Sequence, residues 1–83
     1  MTATIKVPPL LRKWFRGQSE IQAKGSTIGE CLENMINEYP ELEIRLKTML
    51  IYLNGEVVQL VHYGNQKIKE GDEISLMPKM SGG

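Results

Sequence analysis

The fold of this 83-residue chain is decided by the stretch GSTIGECLENMINEYP, residues 25–40. Thr27 and Glu30 have the spacing of a capping box, in which each side chain satisfies a backbone N–H group at the start of a helix. Apolar residues then recur at helical spacing and define one face. These residues are Ile28, Leu32, Met35, Ile36 and Tyr39. Because Pro40 ends the pattern, we predict a helix from Thr27 to Tyr39 that packs one face on another element.

Two strands are predicted before this helix. Apolar and polar residues alternate over residues 2–7, with Ala3, Ile5 and Val7 on one face, as in a half-buried strand. A second strand spans residues 19–24. The stretch between them, residues 10–16, is too short for an independent helix, so we expect a loop or a single turn there.

A second hairpin is predicted after the helix. Residues 41–47 are expected to add another helical turn or two before a strand at residues 49–53. Asn54-Gly55 favours a type I′ turn, because both central positions of that turn require positive φ. This turn joins the strand to residues 56–58.

The final strand is expected after Gly71-Asp72, with Ile74 and Leu76 facing inward. The predicted order is ββαββ, with room for an extra short strand around Val61 to Tyr63. A chain this short buries one helical face by wrapping a single mixed sheet around it. We therefore predict the α+β class and a β-grasp (ubiquitin-like) fold of four to five strands, with the first and last strands adjacent and parallel. Residues 1–80 would form this domain and residues 81–83 a flexible tail.

Composition excludes several functional classes. Ten basic residues balance ten acidic ones, and no basic stripe is visible, so no nucleic acid partner is expected. The single cysteine cannot form an internal disulfide. The N-terminal residues lack the features of a signal peptide, and the longest apolar run, residues 49–53, is too short to span a bilayer. We expect a cytoplasmic protein with no membrane partner, and one too small to perform chemistry without a larger partner.

The end of the sequence, Pro78-Lys79-Met80-Ser81-Gly82-Gly83, carries the predicted chemistry. A frayed terminus is the ordinary interpretation of such a stretch. A diglycine, however, has no Cβ atoms, so it can extend through a narrow channel and present an unhindered α-carboxylate. We predict that the Gly83 carboxylate is the reactive group and that Ser81 and Gly82 form the tail that presents it.

Six segments in order along the chain resemble the MoaD/ThiS family of sulfur carriers. They are Val7-Pro8-Pro9-Leu10-Leu11-Arg12, Gly25-Ser26-Thr27-Ile28-Gly29-Glu30, Tyr39-Pro40, Leu53-Asn54-Gly55-Glu56, Gly71-Asp72-Glu73-Ile74 and Ser81-Gly82-Gly83. The resemblance implies that an E1-like adenylating enzyme activates the Gly83 carboxylate with ATP. A sulfur donor protein or sulfide then converts it to a thiocarboxylate, which passes sulfur to an acceptor synthase.

The resemblance also implies that the chain is a carrier rather than an enzyme, with no bound cofactor and no metal, and that it could be the small subunit of a sulfur-transfer enzyme such as molybdopterin synthase. The pathway stays open among molybdopterin synthesis, cysteine or methionine sulfur supply, and thiazole formation. Two other functions also remain: a protein modifier joined to lysines through Gly83, and a ubiquitin-like interaction domain without acyl chemistry.

A docking surface for these partners is expected on the sheet face opposite the helix. Met77, Leu50 and Tyr52 would point outward there, with Lys79 and Met80 beside the tail. Trp14 and Phe15 could belong either to this surface or to the core. Arg12 and Arg16 are further candidates for contacts at its rim, although a solvated charge is the simpler interpretation of each.

Two other side chains invite functional interpretations that we set aside. Cys31 lies at the edge of the helical apolar face, so we expect packing rather than redox chemistry. His62 has no second ligand at metal-binding spacing, and we expect an ordinary surface or strand histidine.

Overall fold

The computed structural model describes residues 1–79, which form five strands, two α-helices and three 3-10 helices. The strands are β1 (Thr2–Lys6), β2 (Glu20–Lys24), β3 (Met49–Leu53), β4 (Glu56–Val58) and β5 (Glu73–Pro78). The α-helices are α1 (Ile28–Glu38) and α2 (Glu41–Arg45), and the 3-10 helices are Pro9–Phe15, Leu46–Thr48 and Leu60–His62. No helix among the described residues is long and apolar enough to cross a membrane.

The strands form one mixed sheet in the order β2-β1-β5-β3-β4. β1 and β5 run parallel, with Ile5 beside Ile74, and the other neighbouring strands are antiparallel. The predicted mixed sheet with adjacent, parallel first and last strands is confirmed. β5 is therefore the central strand, hydrogen-bonded on both sides, although it is the last of the described strands in the sequence.

The start of α1 is capped by its own side chains. The Glu30 N–H donates to Oγ1 of Thr27 at 3.1 Å, as the capping box predicts. The Glu30 carboxylate, however, accepts from the Ser26 N–H and hydroxyl, both at 2.7 Å, rather than from the Thr27 N–H. These two bonds, the backbone one first, hold the pKa of Glu30 below its ordinary value.

The core lies between α1 and the inner face of the sheet. Ile28, Leu32 and Met35 of the helix are buried, and Ile36 is half-buried beside them. The sheet contributes the inward residues of its alternating strands, including Ala3, Ile5, Ile21, Ala23, Met49, Ile51, Ile74 and Leu76. The helical and strand periodicities in the sequence thus predicted both surfaces of the core.

Two segments differ from the sequence prediction. Residues 9–15 form a 3-10 helix rather than a loop or single turn, because Leu11 and Phe15 are buried on the core and the Phe15 ring packs 5.1 Å from that of Tyr39. The extra strand expected around Val61 to Tyr63 is wrong, and so is the order ββαββ, since three strands follow the helices. Residues 60–62 instead form a 3-10 turn, and the Tyr63 carbonyl accepts a 2.9 Å hydrogen bond from the Gly29 N–H of α1.

Candidate functional site

The end of β5 is held firmly up to the last described residue. Beyond the β-ladder, the Lys79 N–H donates to the Thr48 carbonyl at 2.8 Å, which extends the pairing of Pro78 with Met49 by one step. The predicted site residues Met80, Ser81, Gly82 and Gly83 lie outside the described residues. Since an extended residue spans about 3.3–3.6 Å, Gly83 can reach at most about 14 Å beyond Lys79.

The start of β5 is tied to the β3–β4 hairpin by side chains. Asn54 and Gly55 have φ of 50° and 89°, as a type I′ turn requires. The Asn54 Oδ1 accepts from the Glu73 N–H at 2.9 Å, and its Nδ2 donates to Asp72 at 3.2 Å. The Asp72 carboxylate also accepts from the Lys69 N–H at 2.7 Å. The Lys69 bond, followed by the Asn54 bond, lowers the pKa of Asp72. These motifs therefore position the start of β5.

An apolar patch covers the outer face of the sheet near the end of β5. Leu50 pairs with Met77 across β3 and β5, and both lie on the face opposite α1. Tyr52 lies two residues further along β3 on the same face. Met77 keeps 46% of its surface exposed, while Leu50 and Tyr52 are half-buried. The structure thus brings together the three sequence-predicted residues of the sheet face.

A fourth member of this patch, Val57, was not predicted from the sequence. It pairs with Tyr52 across β3 and β4 and is 55% exposed. The signal was available, because a two-residue turn at Asn54-Gly55 sets Leu53 opposite Glu56 and therefore Tyr52 opposite Val57. We define the apolar patch as Leu50, Tyr52, Val57 and Met77. Lys79, the residue that follows β5, is also exposed.

Comparison with known proteins places this chain among small β-grasp carriers. A family model described as the ThiS family matches residues 5–83, which is nearly the whole chain. This chain belongs to the ThiS family.

Relatives of this ThiS-family chain include a sulfur carrier protein and a sulfur carrier subunit of molybdopterin synthase. The sulfur carrier protein CysO of Mycobacterium tuberculosis is 27% identical over 93 aligned positions, which cover all of both chains. The molybdopterin synthase sulfur carrier subunit of Chlamydomonas reinhardtii is 32% identical over 59 positions, 71% of this chain and 69% of that protein. The crystal structure of the Amycolatopsis orientalis BexX/CysO complex contains a chain with a TM-score of 0.82 at 25% identity, covering 98% of this chain and 99% of that one.

The cationic residues proposed for the rim of the patch are mostly engaged elsewhere in this ThiS-family chain. The half-buried Arg12 donates through Nε to the Val7 carbonyl at 3.2 Å. Arg16 lies 3.8 Å from the Glu38 carboxylate and above the Tyr39 ring. Only Lys79, of these three, lies beside the end of β5.

Trp14 and Phe15, which the sequence could not assign to the core or to the docking surface, have different positions. Phe15 is a core residue, 1% exposed. Trp14 is partly buried on the core, and the Arg45 guanidinium stacks 4.1 Å from its ring centroid. Neither residue belongs to the apolar patch, because both lie in the 3-10 helix that follows β1.

The isolated cysteine and histidine have the positions expected of structural residues. Cys31 is fully buried, and its Sγ lies 3.9 Å from the Ala23 carbonyl. Burial raises the pKa of the Cys31 thiol, so the nucleophilic thiolate is disfavoured. His62 is exposed in a 3-10 turn. Within residues 1–79 there is no group of three or more His, Cys, Asp and Glu side chains that could hold a metal ion.

Proposed function

We propose that this chain is a sulfur carrier whose Gly83 carboxylate is adenylated and then converted to a thiocarboxylate. The observation that carries the proposal is the position of β5, the central strand, which is anchored through Lys79 and is followed directly by Met80-Ser81-Gly82-Gly83. Membership of the ThiS family and similarity to named sulfur carriers support it. The folded domain contributes binding surface, and the glycines contribute a terminus slender enough to enter another protein's active site.

A carboxylate is a poor acylating group, so the Gly83 carboxylate must be activated by another protein before sulfur can be added. In the first step, a Gly83 carboxylate oxygen attacks the α-phosphorus of ATP in an E1-like enzyme, and pyrophosphate leaves. In the second step, sulfide, either free or released by a donor protein, attacks the acyl carbon, and AMP leaves. The product with sulfide is a thiocarboxylate, which is nucleophilic and can pass its sulfur to an acceptor synthase. ATP is a substrate of the activating enzyme, so the carrier needs no bound cofactor of its own.

The apolar patch is the proposed docking surface for the activating enzyme or the acceptor. Met77 is two residues before Lys79, so a protein seated on the patch lies within reach of the terminus. An exposed methionine and valine beside two partly buried large side chains provide an adaptable apolar surface. Met80 and the Lys79 ammonium group would contact the same partner at the entrance to its active site.

The acceptor belongs to cofactor or amino-acid biosynthesis, of the molybdopterin or the cysteine/methionine type. The relative aligned over its full length is a CysO carrier, whereas the molybdopterin subunit aligns over about two thirds of its length. The chain acts as a carrier or as the small subunit of a synthase, and a cytoplasmic location remains a prediction.

Intact mass spectrometry of the protein isolated from its native cell tests this function. We expect a fraction of the chain to show one oxygen-to-sulfur exchange, and fragmentation should place the sulfur on Gly83. A Gly83-deletion variant expressed in the same cell is the control and should show no exchange. Sulfur found on Cys31 instead would contradict the proposal, and covalent adducts with lysines of other proteins would favour a modifier.

A further inference from the structure

The outer edge of β2 is an unpaired strand edge with an unusual charge pattern. β2 is the first strand in the sheet order, so within residues 1–79 only β1 pairs with it. Its sequence, Glu20-Ile21-Gln22-Ala23-Lys24, places an acidic residue at one end, a basic residue at the other and an uncharged polar residue at the centre. Glu20, Gln22 and Lys24 are all exposed, whereas Ile21 and Ala23 are buried on the core.

The backbone groups at this edge belong to the same three polar residues. Two backbone bonds flank β2 at its two ends. The Val7 N–H donates to the Ser19 carbonyl, and the Gly25 N–H donates to the Met1 carbonyl, both at 2.9 Å. Because hydrogen-bonded pairs alternate in an antiparallel ladder, Ile21 and Ala23 must be the residues that bond to β1. The N–H and C=O groups of residues 20, 22 and 24 therefore point toward the open edge.

We propose that β2 pairs antiparallel with β2 of a second copy of this chain, about a two-fold axis at Gln22. In this register Glu20 lies opposite Lys24 of the second copy, and Lys24 lies opposite its Glu20. All the opposed residues are those whose backbone groups face the edge, so each opposed pair can exchange hydrogen bonds. The result is a continuous sheet through two copies, with an opposite-charge pair on each side of the axis.

Charge complementarity selects this register over its neighbours. A slip of two residues keeps the hydrogen-bonding parity but sets Glu20 opposite Gln22, which removes both ion pairs. A slip of one residue sets Glu20, Gln22 and Lys24 opposite residues whose backbone groups bond to β1 and face away from the edge, so the hydrogen bonds between copies are lost. Within each copy Glu20 already pairs with Lys6 of β1, so the proposed contact places its carboxylate between two cations.

Three features of the molecule bear on a contact at this edge. An open groove of about 370 Å³ runs along β2 and α1 and is lined by Ile21, Ala23 and Met35 together with polar residues. Asn34 donates to the Lys24 carbonyl at 2.6 Å, so this carbonyl would use its second lone pair in the dimer. The apolar patch lies on β3, β4 and β5, away from β2, so pairing leaves it uncovered. The proposal does not rest on the proposed function, since it involves neither Gly83 nor the patch.

Charge-reversal variants of the full-length chain test the register by sedimentation velocity. Glu20→Lys alone sets lysine opposite lysine, and Lys24→Glu alone sets glutamate opposite glutamate, so each should weaken self-association about tenfold or more. A mixture of the two variants should restore it, because both opposed pairs are then of opposite charge. The double variant Glu20→Lys/Lys24→Glu should also self-associate, and Glu43→Lys, on α2, is the matched control that should behave as wild type.

A second variant keeps the test independent of charge effects on folding. Gln22→Pro removes an N–H group that faces the open edge, and the only bond to β1 that it removes among the described residues is the exposed one from the Gln22 side chain to the Thr4 hydroxyl at 3.1 Å. It should therefore abolish self-association while the melting curve retains a cooperative transition. Failure of the mixed variants to associate would overturn the proposed register. A wild type that stays monomeric up to about 1 mM would overturn the self-pairing itself and leave the edge to an extended segment of another protein.

Discussion

Removing Gly83 should abolish ATP-dependent adenylation while leaving thermal stability nearly unchanged. The buried side chains of the last strand are Ile74 and Leu76, and the last described backbone bond is the one from Lys79 to Thr48. Gly83 lies four positions further along the chain. The described core and ladder therefore keep all their contacts in the variant, and the melting temperature should change by less than about 2 °C.

The expected loss of activity follows from chain geometry. Each extended residue spans about 3.5 Å, so the deletion withdraws the carboxylate by that distance toward Lys79. Misplacement of a reacting group by about 1 Å can already cost on the order of 100-fold in rate, so the loss should exceed 100-fold. Adding one residue after Gly83 should have an equal effect, because an amide then replaces the carboxylate. Gly83→Ala retains the carboxylate and should be milder than either change.

Pyrophosphate exchange with the cognate activating enzyme is the assay, with a melting curve recorded for each variant. Saturating carrier concentrations separate loss of the reacting group from weakened docking, because the domain and its apolar patch are unchanged. Undiminished exchange by the Gly83 deletion would show that the chemistry is not at this terminus. A large fall in melting temperature would instead show that the end of the chain supports the fold.

Three further substitutions have distinct expected outcomes. Cys31→Ala removes a fully buried sulfur and should lower the free energy of unfolding by about 1–2 kcal/mol in chemical denaturation, yet leave thiocarboxylate formation intact in mass spectra. Asp72→Ala loses the hydrogen bonds that the Asp72 carboxylate accepts from the Asn54 side chain and the Lys69 N–H, with a cost of about 1–2 kcal/mol at pH 7. Because the folded pKa of Asp72 is lowered, its stabilisation is present above its ordinary pKa of about 3.9 and is lost as pH falls through the folded value, so melting curves of variant and wild type should converge in acid. Met77→Lys should weaken binding to the activating enzyme at least tenfold by calorimetry, whereas Thr4→Lys, on the outer face of β1, should not, and equal effects would disprove docking at the patch.

Local physics explains why much of this protein could be predicted from the sequence. The period of apolar residues over 27–39 and the alternation over 2–7 determine which side chains can share a face, whatever lies opposite. Asn54-Gly55 determines the hairpin because few other residues accept positive φ at both positions. A short chain with one apolar helical face has few ways to bury that face, so the β-grasp sheet could be predicted. That Gly83 is the reactive residue was predicted from its terminal position and from resemblance, and it stays a prediction because Gly83 lies beyond the described residues.

Tertiary structure alone decided the features that depend on contacts between distant segments. The 3-10 helix at residues 9–15 forms because Leu11 and Phe15 are buried on the core and Phe15 packs against the Tyr39 ring. No periodicity within the segment predicts these contacts. Residues 60–62 turn rather than pair because the segment that follows them bonds to the start of α1. The open, charge-complementary edge of β2 likewise follows from strand order. Strand order is set by long-range pairing, whose free energy depends on the whole core rather than on the propensity of any one segment.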